Sequence, residues 1–240
     1  MSGYKRFFIE GEIDDKIMLT GEEFSHAVNV LRIRTGENII ILNNSDFEYR
    51  AEVVEITKKY LTAKITDKTF CENENKNKLL LICGYLKGDK TEFVVQKAVE
   101  LGVSEIVVFE SEFCSAYLSD NKIERLNKVS KEAAKQCGRS KYPKVTGKNK
   151  LVDALEAGGN YSNKLFACEF ADSSDVELKS VKGDCAIVIG SEGGFSENEF
   201  KTALKCGYNG ITLGKRILRA DTASVVMCSI LAFLNGDLDK

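Results

Sequence analysis

Two short segments near the end of the chain hold the residue types that could do chemistry. Ile187-Val188-Ile189-Gly190-Ser191-Glu192-Gly193-Gly194-Phe195-Ser196 carries three glycines and a carboxylate within five residues. Leu213-Gly214-Lys215-Arg216-Ile217-Leu218-Arg219-Ala220-Asp221-Thr222 adds a further glycine, three cations and a second carboxylate. Glycine lacks a Cβ, so backbone rich in it can approach a ligand closely or adopt positive φ. Each segment follows an apolar run that reads as a buried strand and leads into a helical pattern, so both open at the carboxyl edge of one sheet. Ligands of open α/β sheets bind at that edge. Tight turns would explain either segment alone, but two loops bringing Glu192, Arg216, Arg219 and Asp221 together describe a site.

Two familiar glycine chemistries do not fit. A phosphate-binding P-loop needs G-x-x-x-x-G-K-[ST], and no lysine follows Gly194 in that register. A dinucleotide fold needs G-x-G-x-x-G in its first βα turn, whereas G-x-x-G-G stands here close to the C-terminal end. Binding of ATP or another phosphorylated ligand by the Gly190 loop stays open on the residues alone.

The elements that must position these loops fall into two styles. Up to about residue 70, Arg6 to Ile9, Gly36 to Leu42, Tyr49 to Ile56 and Leu61 to Ile65 read as short strands, with a helix over Glu22 to Leu31, and suggest a small barrel-like domain. The polar stretch 71–78 reads as a linker. From 79 to 240, strands at Leu79 to Tyr85, Glu105 to Phe109, Lys164 to Phe170, Cys185 to Gly190 and Gly210 to Gly214 alternate with helices. The helices run over Thr91 to Leu101, Lys122 to Cys137, Leu151 to Ala157, Glu197 to Cys206 and Thr222 to Leu234. That alternation predicts an α/β fold with a parallel sheet covered on both faces.

Composition narrows the class. The chain has 240 residues, 43% of them hydrophobic, enough for a sizeable core, and a net charge of −2. No run approaches the roughly 18 apolar residues of a membrane span, nor does the N-terminus resemble a secretory signal, so the expectation is a soluble cytoplasmic protein with no membrane partner. Eight scattered cysteines and one histidine offer no paired ligand spacing, so no metal site is expected and the thiols read as small core residues. The charge is uneven: residues 121–150 hold ten Lys or Arg against two Glu. On a helical wheel Arg125, Lys128, Lys131, Lys135 and Arg139 share one side and Ile123, Leu126, Val129, Ala133, Ala134 and Cys137 the other, predicting a helix that packs inward and shows cations outward. Such a stripe suits nucleic-acid phosphates.

The motifs I-G-S-E-G-G-F-S-x-x-E at 189–199 and L-G-x-R-I-L-R-x-D-T-A at 213–223 closely resemble the paired C-terminal signatures of the RsmE family, 16S ribosomal RNA uridine-N3 methyltransferases of the SPOUT superfamily. Arg6-Phe7-Phe8, His26 with Val30-Leu31-Arg32, Lys87-Gly88-Asp89, Gln96 to Val103 and Gln136-Cys137-Gly138-Arg139 resemble its other blocks, so the likeness spans nearly the whole chain. It implies a SPOUT-type α/β domain over 79–240 with a C-terminal trefoil knot, joined by the linker at 71–78 to a PUA-like β-barrel RNA-binding domain over 1–70. The implied activity is methylation of N3 of a uridine in the decoding region near the 3′ end of 16S rRNA, on the 30S subunit, by a homodimer that uses S-adenosylmethionine (SAM). A catalytically inactive RNA-binding protein of the same fold is the alternative.

Carried onto this chain, the resemblance implies cofactor contacts at Ala167, Cys168, Gly190, Glu192, Gly193, Leu213, Gly214, Ile217 and Leu218. It makes Arg219 and Arg216 candidates to stabilise the uracil oxygens, and Glu192 and Asp221 candidate bases, or ordering groups with Asp221 as a helix N-cap. Arg6, Arg32, Arg34, Lys128, Lys131, Lys135 and Arg139 become candidate RNA contacts, and His26 an RNA contact or packing residue. The family usually has proline at 191 and threonine-glutamate at 220 and 221, where this chain has Ser191, Ala220 and Asp221. Serine is expected to loosen the turn slightly, and aspartate to shorten the carboxylate's reach.

Overall fold

The computed structural model describes residues 3–169, 171 and 176–238. The chain forms two compact units, one up to residue 74 together with 134–142, the other 75–133 and the segment from 143 onward.

In the first unit β1 (Lys5–Phe8), β2 (Lys16–Leu19), β3 (Asn38–Leu42), β4 (Phe47–Ile56) and β5 (Leu61–Phe70) form one sheet in the order β1-β3-β4-β5-β2. β1 runs parallel to β3 and the other pairs are antiparallel. Register shifts at Arg50/Ala51 and Val53/Glu55 bend the long β4–β5 pair, as bulges do. Phe7, Leu19, Ile39, Ile41, Val53 and Leu61 fill the core. β2 escaped the sequence because Lys16-Ile17-Met18-Leu19 is only four residues with two exposed. The helix expected over Glu22 to Leu31 is an α-turn, α1 (Gly21–Ser25), widening into a π-helical turn over His26–Val30. His26 is half-buried with its ring edge on Phe7, 6.3 Å between centroids, which is packing.

The second unit is the alternating α/β domain. β6 (Leu79–Gly84), β7 (Glu105–Phe109), β8 (Val145–Lys148), β9 (Asn163–Ala167), β10 (Cys185–Ile189) and β11 (Asn209–Ile211) make an all-parallel sheet in the order β11-β9-β10-β6-β7-β8. β6 and β10 are buried along their whole length, as strands covered on both faces must be. On one face Leu80, Ile82, Val107, Phe109, Phe166 and Val188 pack with α4 (Leu151–Leu155) and α5 (Glu197–Lys205). α6 (Ala220–Leu234) lies along β6 and β10 and packs on α2 (Lys90–Glu100). Its Cys228 stands near Cys83 and Cys185, and burial pushes those two thiols up to about 12, as expected of inert core groups.

Strand ends differ from expectation where loops leave for the site. β11 stops at Ile211 rather than Gly214, whose φ of +86° belongs to no strand. β9 ends at Ala167, and Phe170, placed in that strand by the sequence, lies outside the described residues. β8 is an edge strand whose glycine and lysine hid it.

Candidate functional site

Three neighbouring strands, β11, β9 and β10, release their loops side by side at the carboxyl edge. Ala167 to Glu169, Ile189 to Phe195 and Ile211 to Ala220 surround a cavity of about 660 Å³ there, with Lys90 and Ala223 completing its wall. The volume suits a medium-sized organic ligand. All nine residues singled out for a cofactor line it.

The first loop is built from both sides. Gly194 N–H donates to the Ser191 carbonyl (3.0 Å), closing a turn over Glu192 and Gly193. Phe195 then plugs the core, 4.2 Å from the Phe166 ring and stacked 6.3 Å from Phe109. Ser196 caps α5: its hydroxyl accepts from Glu199 N–H (3.2 Å) while the Glu199 carboxylate accepts from Ser196 N–H (2.9 Å). The F-S-x-x-E half of the motif is thus an anchor that sets where the glycines lie. Glu192 accepts from Lys87 N–H (3.2 Å) and the Lys90 ammonium (3.1 Å). Burial pushes its pKa up, but the Lys90 hydrogen bond, backbone donors and the Lys90 charge outweigh it, so the carboxyl titrates below its ordinary value. A carboxylate held ionised in this way is a weakened base.

The second loop presents side chains outward. Gly214 sits at φ +86°, a left-handed conformation that favours glycine, and turns the chain over the cavity. Ile217 is 86% exposed and Arg216 and Arg219 are exposed, with no side-chain hydrogen bond or ion pair to either arginine among the described residues. Arg219 is the N-cap of α6. Asp221, for which an N-cap was one of two sequence alternatives, is therefore not that cap; it lies in the first turn, outside the cavity lining, accepting from Thr222 N–H (2.9 Å). The helix begins two residues earlier than the apolar pattern indicated because Ala220 and Asp221 are compatible with a first turn.

A third loop, between β7 and α3 (Asp120–Cys137), was not read from the sequence. Its Ser111 hydroxyl lies 2.7 Å from that of Ser191, both buried, and Glu112 N–H donates to Glu199 (3.0 Å). Ser191 is consequently tied down, not loosened: a buried hydrogen bond supplies the restraint that a proline ring would otherwise give. Removing either hydroxyl strands the other in the core. Ser111→Ala and Ser191→Ala are each expected to cost about 1 kcal/mol in denaturant unfolding, and the double variant less than their sum. Strict additivity would show that the pair is not coupled. The loop's position after a central parallel strand was the available signal.

Of the candidate RNA contacts, three are committed to ion pairs within the first unit. Arg139 is 4% exposed and clasps Glu74 (2.8 Å), whose other oxygen accepts from Ser140 and Lys141 N–H. The buried Lys135 ammonium pairs with Glu23 (3.0 Å), and Arg6 pairs with Glu48 and reaches the Gly138 and Arg139 carbonyls. A helical wheel gives the side of a residue but not what covers that side, so the outward reading fails for Lys135 and Arg139. Arg139→Ala should destabilise by about 3 kcal/mol, read by chemical denaturation, because it empties a buried position and leaves the half-buried Glu74 without its cation. Arg32, Arg34 and Lys128 are exposed, and Lys131 is half-buried.

Residues 73–232 match the family model for an RNA methyltransferase domain and 19–66 that for an RNA methyltransferase PUA domain. The chain is 35% identical over 225 residues to the ribosomal RNA small subunit methyltransferase E of Mesomycoplasma hyopneumoniae, covering 92% of this chain and 96% of that protein. It is 31% identical to the Bacillus subtilis protein of the same name, covering 97% and 99%. The crystal structure of the Neisseria gonorrhoeae protein of that name, bound to S-adenosyl methionine, superposes with a TM-score of 0.85 at 28% identity over 97% of this chain and 98% of that one. Likeness of this extent in both sequence and fold, with the glycine loops inside the matched span, places the chain in the ribosomal RNA small subunit methyltransferase E family.

Proposed function

We propose that this protein transfers a methyl group from SAM to N3 of a uridine in 16S rRNA, in the decoding region near the 3′ end, with the β9–β10–β11 cavity as the cofactor site. The observation that carries this is the convergence of Ala167, Cys168, Gly190, Glu192, Gly193, Leu213, Gly214, Ile217 and Leu218 on one cavity in a member of this family. The cavity's make-up fits the cofactor, since apolar side chains from the second loop can flank a ring and exposed backbone from both loops can bond polar ends. When bound, SAM supplies an electrophilic sulfonium methyl.

The chain's own tasks are alignment, proton removal and charge stabilisation. Alignment alone can be worth about 7–11 kcal/mol. Arg219 and Arg216, exposed at the cavity wall and without an ion-pair partner among the described residues, are the groups proposed to stabilise the charge that spreads onto O2 and O4 as the N3 proton leaves. Glu192 orders the loop through Lys87 and Lys90. Glu192→Gln should therefore weaken SAM binding severalfold while leaving the shape of the pH–rate profile intact; disappearance of the acid limb would make Glu192 the base. Arg32, Arg34, Lys128 and Lys131 are the proposed phosphate contacts, positioning RNA without reading its sequence.

The same reading includes the 1–70 and 79–240 domain division, the trefoil knot, action on the 30S subunit in the cytoplasm and pairing of two copies. No helix among the described residues is long and apolar enough to cross a membrane. α6 supports pairing, because Phe233 remains 58% exposed and Val225, Val226 and Ile230 only half-buried. Incubation with labelled SAM and unmodified 30S subunits should yield N3-methyluridine at one site. No transfer together with retained RNA binding would favour the inactive binder, and transfer to carbon or ribose oxygen would exclude the N3 reaction.

A further inference from the structure

The loop between β7 and α3 leaves the same carboxyl edge as the cavity loops and carries one aromatic ring where the cavity ends. Phe113 is packed so closely behind Gly193 that a Cβ on that glycine would lie 2.6 Å from the Phe113 Cβ and 2.7 Å from its carbonyl oxygen. Gly193 itself lines the cavity. Yet Phe113 remains 51% exposed, and its ring has no aromatic or cation partner in the structure among the described residues. The loop is not loose. Ser111 bonds Ser191, Glu112 bonds Glu199, the Cys114 thiol donates to the Tyr85 carbonyl (3.1 Å), and Leu118 N–H donates to Glu110 (2.6 Å). These contacts hold an apolar ring against water beside the methyl-donor loop.

We infer that Phe113 receives the target uracil by stacking against its face. The inference rests on the methyltransferase reading above. N3 lies on the pairing edge of uracil, so the base must be unpaired, and removed from its neighbours, before a methyl can reach it. Unstacking costs free energy that a flat ring at the site can return, and a π-face accepts any base without needing a hydrogen bond. In RNA, splayed bases are commonly captured on aromatic side chains. A ring held against the glycine loop also sets the distance between base and methyl donor, because Phe113 lies directly behind Gly193. Phe113 is thus a substrate-stacking residue in a loop that Ser111, Cys114 and Glu110 hold in place.

The test measures kcat and KM for unmodified 30S subunits, SAM affinity by calorimetry and mass by light scattering, on full-length wild type, Phe113→Ala, Phe113→Leu and Phe113→Tyr. Alanine and leucine should lower kcat/KM for 30S subunits by roughly 5- to 100-fold. SAM affinity should stay unchanged, and tyrosine should recover most of the loss because it keeps the π-face. Leucine fills similar volume, so a low activity there is not a packing defect. A fully active Phe113→Leu overturns the inference, as does SAM affinity falling in step with kcat/KM, or a change of oligomeric mass that assigns the ring to a second copy of the chain. Wild type that methylates no 30S uridine overturns the underlying reading instead, whereas active wild type beside an equally active Phe113→Ala overturns stacking alone.

Discussion

Arg219→Ala is expected to lower kcat for methyl transfer by roughly 10²- to 10³-fold with SAM affinity little changed, the loss typical of removing a donor aimed at developing charge. The site makes this the largest single effect. Arg219 is exposed at the wall of the cavity, without an ion-pair partner among the described residues, so its charge is not spent on the fold. It is also the N-cap of α6, and the positive end of that helix adds to the same field. Arg219→Lys should fall between, because lysine keeps the charge but loses the planar fork that can meet two oxygens. The check is a steady-state comparison: a raised KM for 30S subunits with kcat intact would move Arg219 from charge stabilisation to phosphate holding.

Gly193→Val is expected to weaken SAM binding by one to two orders of magnitude or abolish it, consistent with roughly 1–3 kcal/mol of overpacking. Its cause is the Phe113 backbone. The new Cβ would meet a carbonyl oxygen and a Cβ rather than the pliable end of a side chain, so the loop itself must shift. Gly193 and Gly194 both line the cavity, so a shift there moves two of its walls. Gly214→Ala is a useful contrast: nothing lies within 4 Å of its Cβ, and only its φ of +86° opposes a side chain. It should cost about 1 kcal/mol of backbone strain. Calorimetry on variants with native circular dichroism decides the matter, since unchanged affinity in folded Gly193→Val would take the loop out of the site.

Much of the architecture could be read from local pattern. β6, β7 and β10 were legible because continuous Leu, Ile and Val runs have few other interpretations in an alternating chain. β2 and β8 were not, being four-residue edge strands whose lysines and glycine resemble a turn. The cofactor candidates were legible as two motifs. Lys90, Ser111 and Phe113 were not, because nothing in Lys-Thr-Glu-Phe or Glu-Ser-Glu-Phe marks a partner about 80 to 100 residues away.

The division has one physical cause. Secondary-structure period, the glycines that allow close approach and the capping box at Ser196 and Glu199 depend on neighbours a few residues apart, and the amino-acid order alone determines them. Which charges remain available does not. Arg139 and Arg219 are equal as letters, but Glu74 pairs with the buried first, whereas the exposed second meets no carboxylate among the described residues. A cation's role depends on what covers it, and only packing between distant segments decides whether a carboxylate or open solvent lies on the far side.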